Sequence, residues 1–411
     1  MIDYPSKLDT IFDKLKSHGI RPIIVGGYIR DYLVDIESKD IDIELYGISS
    51  FTELQNILKE FGSVNVVGES FGVCKLYFEE YDLDFSFPRS DNKVKSGHRG
   101  FEITIDTTLD FKTATSRRDF TMNSVGYDVV EKKILDPFGG LDDFKNKTLK
   151  AVNLESFGED PLRVLRAVQF ATRFELKIEN DLFSLCKDMV TNGLLDELAK
   201  ERIFEEIKKL LLYAKKPSRG FELLREFGSD LYTQNISVID EIAKERTANK
   251  QTNIVLMLAA LCYDFSQKEA QDFIEKLTDE REILNRSLLL IEKHNEIDNI
   301  YEKGLNDYRL YKLAAEVNIE ELLILSSSIY FSKSGSKIYK AGEEVKKRAK
   351  ELNILNKKLP ALLAGKDILE FGLKPSPIFS EILNSAYEAQ MRGEFKSHKD
   401  ALNWLKNYLK S

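Results

Sequence analysis

The chain has 411 residues, a formal net charge of −8 at pH 7, 43% apolar residues and 31% charged residues. This length predicts two to four domains, and no segment approaches the roughly 20 apolar residues that a membrane-spanning helix needs. The acidic balance argues against nucleic-acid binding through bulk charge, so such contacts would need local basic patches. Three dispersed cysteines argue against a disulfide framework or a zinc site and, with no apolar leader, predict a cytoplasmic protein.

A short apolar strand, two glycines and a helix form the first informative pattern. Residues 21–25 predict the strand, residues 26–27 the glycine turn and residues 28–34 the helix. Glycines let backbone N–H groups approach an anion, and a helix N-terminus favours negative charge. The pattern therefore predicts a phosphate-binding site immediately before the charged pair Arg30 and Asp31.

The next strand, predicted at residues 39–46, carries Asp40, Asp42 and Glu44 on one face and isoleucine or leucine on the other. Carboxylates two residues apart on a strand are about 6–7 Å apart. That spacing suits a shared pair of magnesium ions, because Mg²⁺ prefers hard oxygen ligands and substrate phosphates. We therefore expect Asp40 and Asp42 to hold Mg²⁺. The alternative is a solvated acidic face beside a glycine turn.

The remaining elements predict an α+β fold, with a mixed sheet up to about residue 145 and helices after about residue 155. We expect a helix at 51–61, strands at 63–67, 73–78 and 83–87, a mobile basic loop at 88–100, and helices at 159–174, 181–190, 199–213 and 218–227. Asp84 lies on a predicted strand, and strand pairing could bring it beside Asp40 and Asp42. An orienting or merely exposed acid is the alternative for Asp84.

Residues 115–124, TSRRDFTMNS, contain the second charged pattern. The pair Arg117 and Arg118 offers fork donors for phosphate, and Asp119 offers an acceptor for a ribose hydroxyl or an orienting arginine. Asn123 lies close by in the sequence. Taken alone, the RRD pattern is more typical of a solvated turn at the start of a helix.

Residues 157–174, FGEDPLRVLRAVQFATRF, contain the third pattern. The proline fits the first turn of a helix, and the spacing of three places Asp160, Arg163 and Arg166 on one face. This face could present an acceptor and a planar donor to the edge of a base, with Arg166 reaching toward phosphate. From spacing alone, an ordinary salt-bridged surface stripe is the favoured interpretation.

Five motifs in this order resemble those of class II tRNA nucleotidyltransferases, the CCA-adding enzymes, which have the bacterial poly(A) polymerases as close relatives. The motifs are VGGYIRDYL, KDIDIE, RRDFTMN, DPFGGLDD (136–143) and EDPLRVLRAVQF. The likeness covers about residues 20–230. A further segment, GKDILEFGLKPSPIFSEIL (365–383) followed by YEAQMRGEF, resembles the tRNA-side C-terminal part of many CCA-adding enzymes.

The resemblance implies a polymerase β-like nucleotidyltransferase head at 1–148, a neck with the templating helix at 149–230, a helical body at 231–360 and a tRNA-binding tail at 361–411. It implies template-independent addition of CCA to tRNA from CTP and ATP, with two Mg²⁺ ions. No obligate protein partner is evident from the sequence. The resemblance implies Asp40 and Asp42 as metal ligands, Gly27 and Arg30 at the triphosphate, Arg118 and Asp119 around the sugar and phosphates, and Asp160, Arg163 and Arg166 at the base and nucleotide. From their places in the patterns above, Asp84 is a further catalytic candidate, and Gly26, Asp31 and Asn123 are further nucleotide-binding candidates.

Residues 333–358 form a basic stretch with nine lysine or arginine residues and three glutamates, a net charge of +6 in an acidic protein. A helix here, ended by Pro360, could hold the phosphates of tRNA. A solvated helix face explains the stretch equally well. The candidate RNA contacts are Lys340, Lys346, Lys347, Arg348 and Lys350.

Two residues depart from the family pattern, and one other function is an alternative. Gln169 stands where many relatives have a third arginine, so one phosphate contact is in doubt. Tyr263 stands where an HD phosphohydrolase motif would have histidine, so we expect no phosphohydrolase activity. An enzyme that adds only A, or a poly(A) polymerase with the same head, is the alternative to complete CCA addition.

Overall fold

We describe a computed structural model, which covers residues 2–67, 73–93, 101–231, 233–234 and 236–410. The chain divides into two compact units, residues 1–210 with 219–232 and residues 211–218 with 233–411. The first unit holds the strands and the second is helical, so the α+β prediction is confirmed. Within the described residues, no helix combines the length and the apolar character needed to cross a membrane.

The bounds of the strands follow in chain order: β1 Arg21–Val25, β2 Asp40–Tyr46, β3 Val64–Val67, β4 Val73–Phe78, β5 Tyr81–Ser86, β6 Arg89–Lys93, β7 Phe101–Ile105, β8 Gly126–Asp128, β9 Lys133–Leu135, β10 Thr148–Leu149 and β11 Lys177–Ile178. The helices of the first unit are α1 Asp9–Ser17, α2 Gly27–Tyr32, α3 Phe51–Leu58, α4 Phe111–Thr115, α5 Gly140–Lys145, α6 Leu154–Gly158, α7 Leu162–Arg173, α8 Asn180–Thr191, α9 Lys200–Tyr213 (whose last turn belongs to the second unit) and α10 Ser218–Phe227.

The main sheet has the strand order β3-β4-β5-β2-β1-β8-β9 among the described residues. The parallel pairing of β2 with β5 sets Ile41 opposite Leu83, Asp42 opposite Asp84 and Ile43 opposite Phe85. The apolar partners are buried in the head core with α1 and α3, whereas Asp40 and Asp42 point away from it and are exposed. The alternation along β2 therefore separates the core from the acidic face, as the sequence predicted.

The second unit consists of α11 Ile236–Lys244, α12 Lys250–Cys262, α13 Gln267–Leu277, α14 Arg281–Lys293, α15 Glu296–Glu302, α16 Asp307–Glu316, α17 Ile319–Ser334, α18 Lys340–Glu351, α19 Gly365–Glu370, α20 Ile378–Met391 and α21 His398–Tyr408. In α12 every residue from Asn253 to Cys262 is buried, so this helix forms a central core element. A separate apolar cluster joins α19, α20 and α21. The four-part domain division stays a prediction.

Two local predictions were wrong. Residues 89–93 form β6, paired with β7, instead of a loop, while residues 94–100 lie outside the described residues. The basic stretch is not one helix up to Pro360. Helix α17 ends at Ser334, before Gly335 with its left-handed φ of 67°, and α18 ends at Glu351. Asn353 also has a positive φ, of 58°, which ends helical continuation.

Candidate active site

A cleft of about 890 Å³ in the first unit collects most of the residues singled out by the sequence. Its lining comprises Val25, Gly26, Gly27, Arg30, Asp42, Glu44, Ser86, Arg89, Arg117, Arg118, Asp119, Asn123, Ser156, Glu159, Asp160, Leu162, Arg163, Arg166 and Arg202. A second depression of about 560 Å³ contains Asp40 and Asp84 and shares Asp42 with the cleft. Asp42 therefore lies where the two depressions meet.

Gly26 joins β1 to α2 and lies against two charged groups of the cleft. Its φ of 72° belongs to a region that side chains with a Cβ rarely adopt. A Cβ at this position would lie 3.1 Å from Oδ2 of Asp42 and 3.3 Å from Nη1 of Arg118. The glycine is thus required both by the turn and by the close approach of the carboxylate and the guanidinium.

Asp42 lies in an acidic group that is only partly neutralised. Removal from bulk water raises the pKa of Asp42, Arg118 lowers it, and the neighbouring Asp84 and Asp40 raise it further. Asp84 accepts a hydrogen bond of 2.7 Å from Nζ of Lys75. Among the described residues, no group of three or more histidine, cysteine or acidic side chains is arranged to hold a metal by itself.

Arg30 lines the cleft, yet its guanidinium is committed to the interior. The residue is 7% exposed, and it donates to Oδ1 of Asp31 from Nε at 2.9 Å and from Nη2 at 2.7 Å. Its Nη1 donates to Oδ1 of Asn123 at 3.1 Å, and the guanidinium lies over the rings of Phe170 and Phe174. In this geometry Arg30 and Asp31 connect α2 to α7, and Asp31 is absent from the lining of the cleft described above.

Asn123 links three of the charged residues of the cleft. Its carbonyl side-chain oxygen accepts from Arg30, its amide nitrogen donates to Oδ1 of Asp119 at 2.9 Å, and its backbone oxygen accepts from Nη1 of Arg118 at 3.0 Å. Asn123 therefore fixes the orientation of Arg118 beside Asp42. Asp119 is buried, and Arg117 and Arg118 are half-buried, so the RRD segment is part of a hydrogen-bonded network instead of the solvated turn that the pattern alone favoured.

The DPFGGLDD motif packs against the turn that belongs to this hydrogen-bond network. Asp136 accepts hydrogen bonds from the backbone N–H groups of Gly140 and Leu141, at 2.7 and 3.0 Å. A Cβ on Gly140 would lie 2.1 Å from the backbone oxygen of Thr121, so a side chain there would displace the turn that carries Asn123. The motif therefore has a packing role near the cleft.

Asp119, which is buried, forms an ion pair with Arg166, whose side chain is 31% exposed. Nε and Nη2 of Arg166 lie 2.7 and 2.6 Å from Oδ2 of Asp119, which is 8% exposed. Burial raises the pKa of Asp119, but Arg166, Asn123 and Arg163 lower it more, so the net pKa is below the ordinary value. Both carboxylate oxygens of Asp119 thus have partners in the protein, which favours a role in positioning Arg166.

Asp160 and Arg163 lie at the start of α7, as predicted. Oδ1 of Asp160 accepts from the backbone N–H of Leu162 at 3.2 Å. Arg163 donates from Nη1 to the backbone oxygen of Ser156 at 3.0 Å and from Nη2 to that of Arg117 at 2.8 Å. Both side chains line the cleft, and Arg163 ties α7 to α6 and to the RRD segment.

Arg202 is a cleft residue that the sequence analysis missed. It lies on α9, four residues before the buried Glu206, whose Oε1 is 3.9 Å from Nη1 of Arg166. The available signal was the arginine and glutamate four apart on one face of a predicted helix. Glu44 was noticed only as part of the acidic face, yet it is 1% exposed and accepts a hydrogen bond from Tyr46.

The candidate RNA contacts lie on α18 in the second unit. Lys340, Lys346, Lys347 and Lys350 are exposed. Arg348 instead forms two hydrogen bonds with Asp307, at 2.8 and 2.7 Å, and one with Glu351 at 2.7 Å. Arg348 is thus engaged within the protein, whereas the lysines present a basic surface.

Comparison with known proteins identifies the family. Residues 23–150 match the poly(A) polymerase head domain, and residues 175–229 match the probable RNA- and SrmB-binding site of polymerase A. A CCA-adding enzyme of Lactococcus lactis subsp. cremoris is 30% identical over 409 residues, covering 95% of this chain and 93% of that protein. The chain belongs to the CCA-adding enzyme family.

Other CCA-adding proteins are similar to part of this chain in sequence, or to the whole chain in fold. The multifunctional CCA protein of Neisseria gonorrhoeae is 34% identical over 206 residues, covering 50% of this chain and 48% of that protein, so the matched chain spans about half the length of this curated relative. The Bacillus stearothermophilus CCA-adding enzyme in complex with CTP has a TM-score of 0.73 at 22% identity, covering 99% of this chain and 98% of that one. The Thermotoga maritima CCA-adding enzyme complexed with tRNA has a TM-score of 0.65 at 20% identity, covering 99% and 97%.

In this member of the CCA-adding family, we expect Asp119→Ala to destabilise the first unit. The substitution removes the hydrogen-bonded partner of Arg166, which is 31% exposed and keeps Glu206 at 3.9 Å, so the expected cost is about 1–3 kcal/mol. Urea denaturation of the variant at pH 7 measures this change in the free energy of unfolding. Glu155→Ala, an exposed change in the first turn of α6, is the control and should leave stability unchanged.

The same ion pair predicts a dependence of stability on pH. Because the pKa of Asp119 is lower in the folded chain than its ordinary value of 3.8, its stabilisation is fully present above pH 3.8 and is lost as pH falls through the lower folded-state pKa. We expect Asp119→Asn to weaken the fall in stability on acidification below about pH 4. An identical pH profile in the variant and the wild type would contradict this account.

Proposed function

We propose that this protein adds C, C and A to the 3′ end of tRNA, with CTP and ATP as substrates and Mg²⁺ as the metal. One observation carries the proposal. A single cleft joins the glycine turn, Asp42 and Arg118 to the acceptor and donor pair Asp160 and Arg163. The first set suits a triphosphate and the second suits the edge of a base. We place the reaction in the cytoplasm, where tRNA and both nucleotides are present.

In the proposed reaction, the terminal 3′-hydroxyl oxygen of tRNA attacks the α-phosphorus of the nucleotide, and the bond to pyrophosphate breaks. Transfers of this kind need little covalent work from the protein, so positioning and charge stabilisation dominate. The backbone N–H groups at the start of α2 and the guanidinium of Arg118 would bind the phosphates. Asn123, which holds Arg118, would keep that guanidinium beside Asp42.

Asp40 and Asp42 suit Mg²⁺ as part of a larger ligand set. Both lie on the exposed face of β2, with Asp84 opposite Asp42. Partial loss of hydration in the cleft raises the pKa of Asp42, and the neighbouring carboxylates raise it further. Mg²⁺ usually takes one or two carboxylates and completes its shell with water and substrate phosphates. When bound, the metal would lower the pKa of the attacking hydroxyl and neutralise charge on the leaving pyrophosphate. Metal dependence is general among nucleotidyltransferases of this family.

Asp160 and Arg163 would select the base. An ionised carboxylate is an acceptor only, so Asp160 can take the exocyclic amino hydrogen that both cytosine and adenine present. Uracil has a carbonyl oxygen at that place. This oxygen and the carboxylate of Asp160 are both acceptors, so they would repel each other. Arg163 is held at the cleft by two backbone oxygens, so its guanidinium is oriented before the nucleotide arrives.

Single-nucleotide incubations with three tRNA acceptors test the function. The acceptors end before the CCA tail, after the first C and after CC, and each receives one labelled nucleoside triphosphate with Mg²⁺. We expect C on the first two acceptors, A on the third, and no transfer with UTP or GTP. Addition of A alone to the third acceptor would support an A-adding enzyme, and long A tails on every acceptor would support a poly(A) polymerase.

We expect Lys346→Ala combined with Lys347→Ala to weaken tRNA binding without changing nucleotide choice. Each lost phosphate contact lowers the slope of log affinity against log salt by about 0.7–0.9. Salt titrations of tRNA binding measure this slope. The control is Lys244→Ala with Lys268→Ala, which removes two exposed lysines of the same unit that pair with Glu241 and Asp272. Equal slopes for the two double variants would show that α18 is a solvated face.

A further inference from the structure

Arg202 carries a buried donor in the cleft that the proposed function does not use. The side chain extends from the first turns of α9 and lines the cleft together with Asp160, Arg163 and Arg166. Its Nη1 atom is inaccessible to solvent and has no hydrogen-bond partner among the residues that the structure describes. A buried donor without a partner costs about 1–3 kcal/mol, so an unpartnered donor at the wall of a cleft is a candidate to bind a ligand.

The other two guanidinium groups at this end of the cleft are engaged with the protein. Arg163 donates to the backbone oxygens of Ser156 and Arg117, and Arg166 donates to Asp119. Arg202 differs from both, because its Nη1 meets no acceptor in the described part of the chain. The arrangement therefore holds two arginines in place and leaves one buried donor of the third, at the wall of the cleft, without an acceptor in the described part of the chain.

Arg202 lines the same cleft as Asp160, and the charges around its guanidinium are of both signs. Burial lowers the pKa of Arg202, Asp160 and Glu206 raise it, and Arg166 lowers it. The influence of Asp160 is the first of the charge effects, so the guanidinium lies within electrostatic range of the acceptor that would read the amino group. Oε1 of Glu206 lies 2.7 Å from Nζ of Lys209, and neither Oε2 of Glu206 nor Nη1 of Arg202 has a hydrogen-bond partner in the described part of the chain.

We propose that Arg202 donates a hydrogen bond to the base of the incoming nucleotide and takes part in its selection. Cytosine and adenine both present an unprotonated ring nitrogen beside the exocyclic amino group, whereas uracil and guanine present a ring N–H there. A hydrogen-bond donor near Asp160 can donate to the ring nitrogen of cytosine or adenine. The same donor would face the ring N–H of uracil or guanine, where no hydrogen bond can form. This inference rests on the proposed function, since it assumes that CTP and ATP occupy the cleft.

Binding measurements on Arg202→Ala test the proposal. The affinities of CTP, ATP and inorganic tripolyphosphate are measured by calorimetry for the variant and the wild type. We expect CTP and ATP to bind about tenfold more weakly or worse, and tripolyphosphate to bind within about twofold of the wild-type value. Lys209→Ala is the matched control, because it also removes a cation near Glu206 on the same helix but lies outside the cleft lining.

A second variant distinguishes the loss of the guanidinium group from a folding defect. Arg202→Lys keeps the charge but loses the planar fork, and it should also weaken nucleotide binding while sparing tripolyphosphate. Equal losses for the nucleotides and for tripolyphosphate would place Arg202 at the phosphates and overturn the proposal, as would unchanged affinity in both variants. Failure of the wild type to bind CTP and ATP would instead refute the proposed function.

Discussion

Asp42→Ala is expected to reduce nucleotide transfer roughly thousandfold or more, a loss of about 4 kcal/mol of transition-state stabilisation. Asp42 is shared by the two depressions, and it lies within reach of both the glycine turn and Arg118. The phosphates would be bound by the turn and by Arg118, so CTP binding should fall far less than the rate. Single-turnover transfer and equilibrium binding measured side by side separate the two effects.

The fold should survive this substitution, because Asp42 is exposed and points away from the head core. Asp40→Ala should behave in the same way. Asp13→Ala on α1, which removes an exposed carboxylate of the same unit, serves as the control and should transfer normally. Transfer at the wild-type rate by Asp42→Ala with Mg²⁺ would refute the assignment of the catalytic carboxylates.

Asp160→Ala is expected to lower the use of CTP and ATP and to relax the exclusion of UTP and GTP. One buried hydrogen bond to the amino group is worth about 1–3 kcal/mol, so kcat/KM for the correct nucleotides should fall roughly tenfold to a hundredfold. The acceptor clash against uracil disappears together with the carboxylate, which should raise the relative use of UTP. Values of kcat/KM for all four nucleotides on one acceptor measure the change.

Asp181→Ala is the matched control for this variant. Asp181 lies in the first turn of α8, much as Asp160 lies at the start of α7, but it is exposed and is not among the residues that line the cleft. The control should retain wild-type discrimination. Unaltered kinetics and unaltered rejection of UTP in Asp160→Ala would show that other residues select the nucleotide.

Local patterns predicted the elements that position the site. The alternation of Asp40 to Leu45 fixed both the strand and its acidic face, because a strand whose apolar face is buried allows only one register of its side chains. The glycine turn and the proline at the start of α7 were recognisable for similar reasons, since each demands a particular backbone geometry. These features depend on neighbours in sequence, which is why they could be derived.

What the sequence did not reveal depends on contacts between distant segments. Arg30 was implicated in phosphate binding by resemblance, but its burial between Asp31, Asn123 and two phenylalanine rings requires α2, α7 and the RRD segment to be packed together. Arg202 reaches the cleft only because α9 packs near α7, and its pattern resembles an ordinary helix face. The break of the basic stretch was not predicted, because the charge pattern does not show that Gly335 adopts the left-handed φ that ends α17.

The most direct test of the central claim is to sequence the 3′ ends that the protein makes on tRNA lacking its CCA tail, with all four nucleotides at equal concentration. The account predicts that wild-type products end in CCA and stop there, and that Asp160→Ala products contain U or G at the added positions. Wild-type products with a mixed sequence, or identical products from both proteins, would contradict selection of the nucleotide by this cleft.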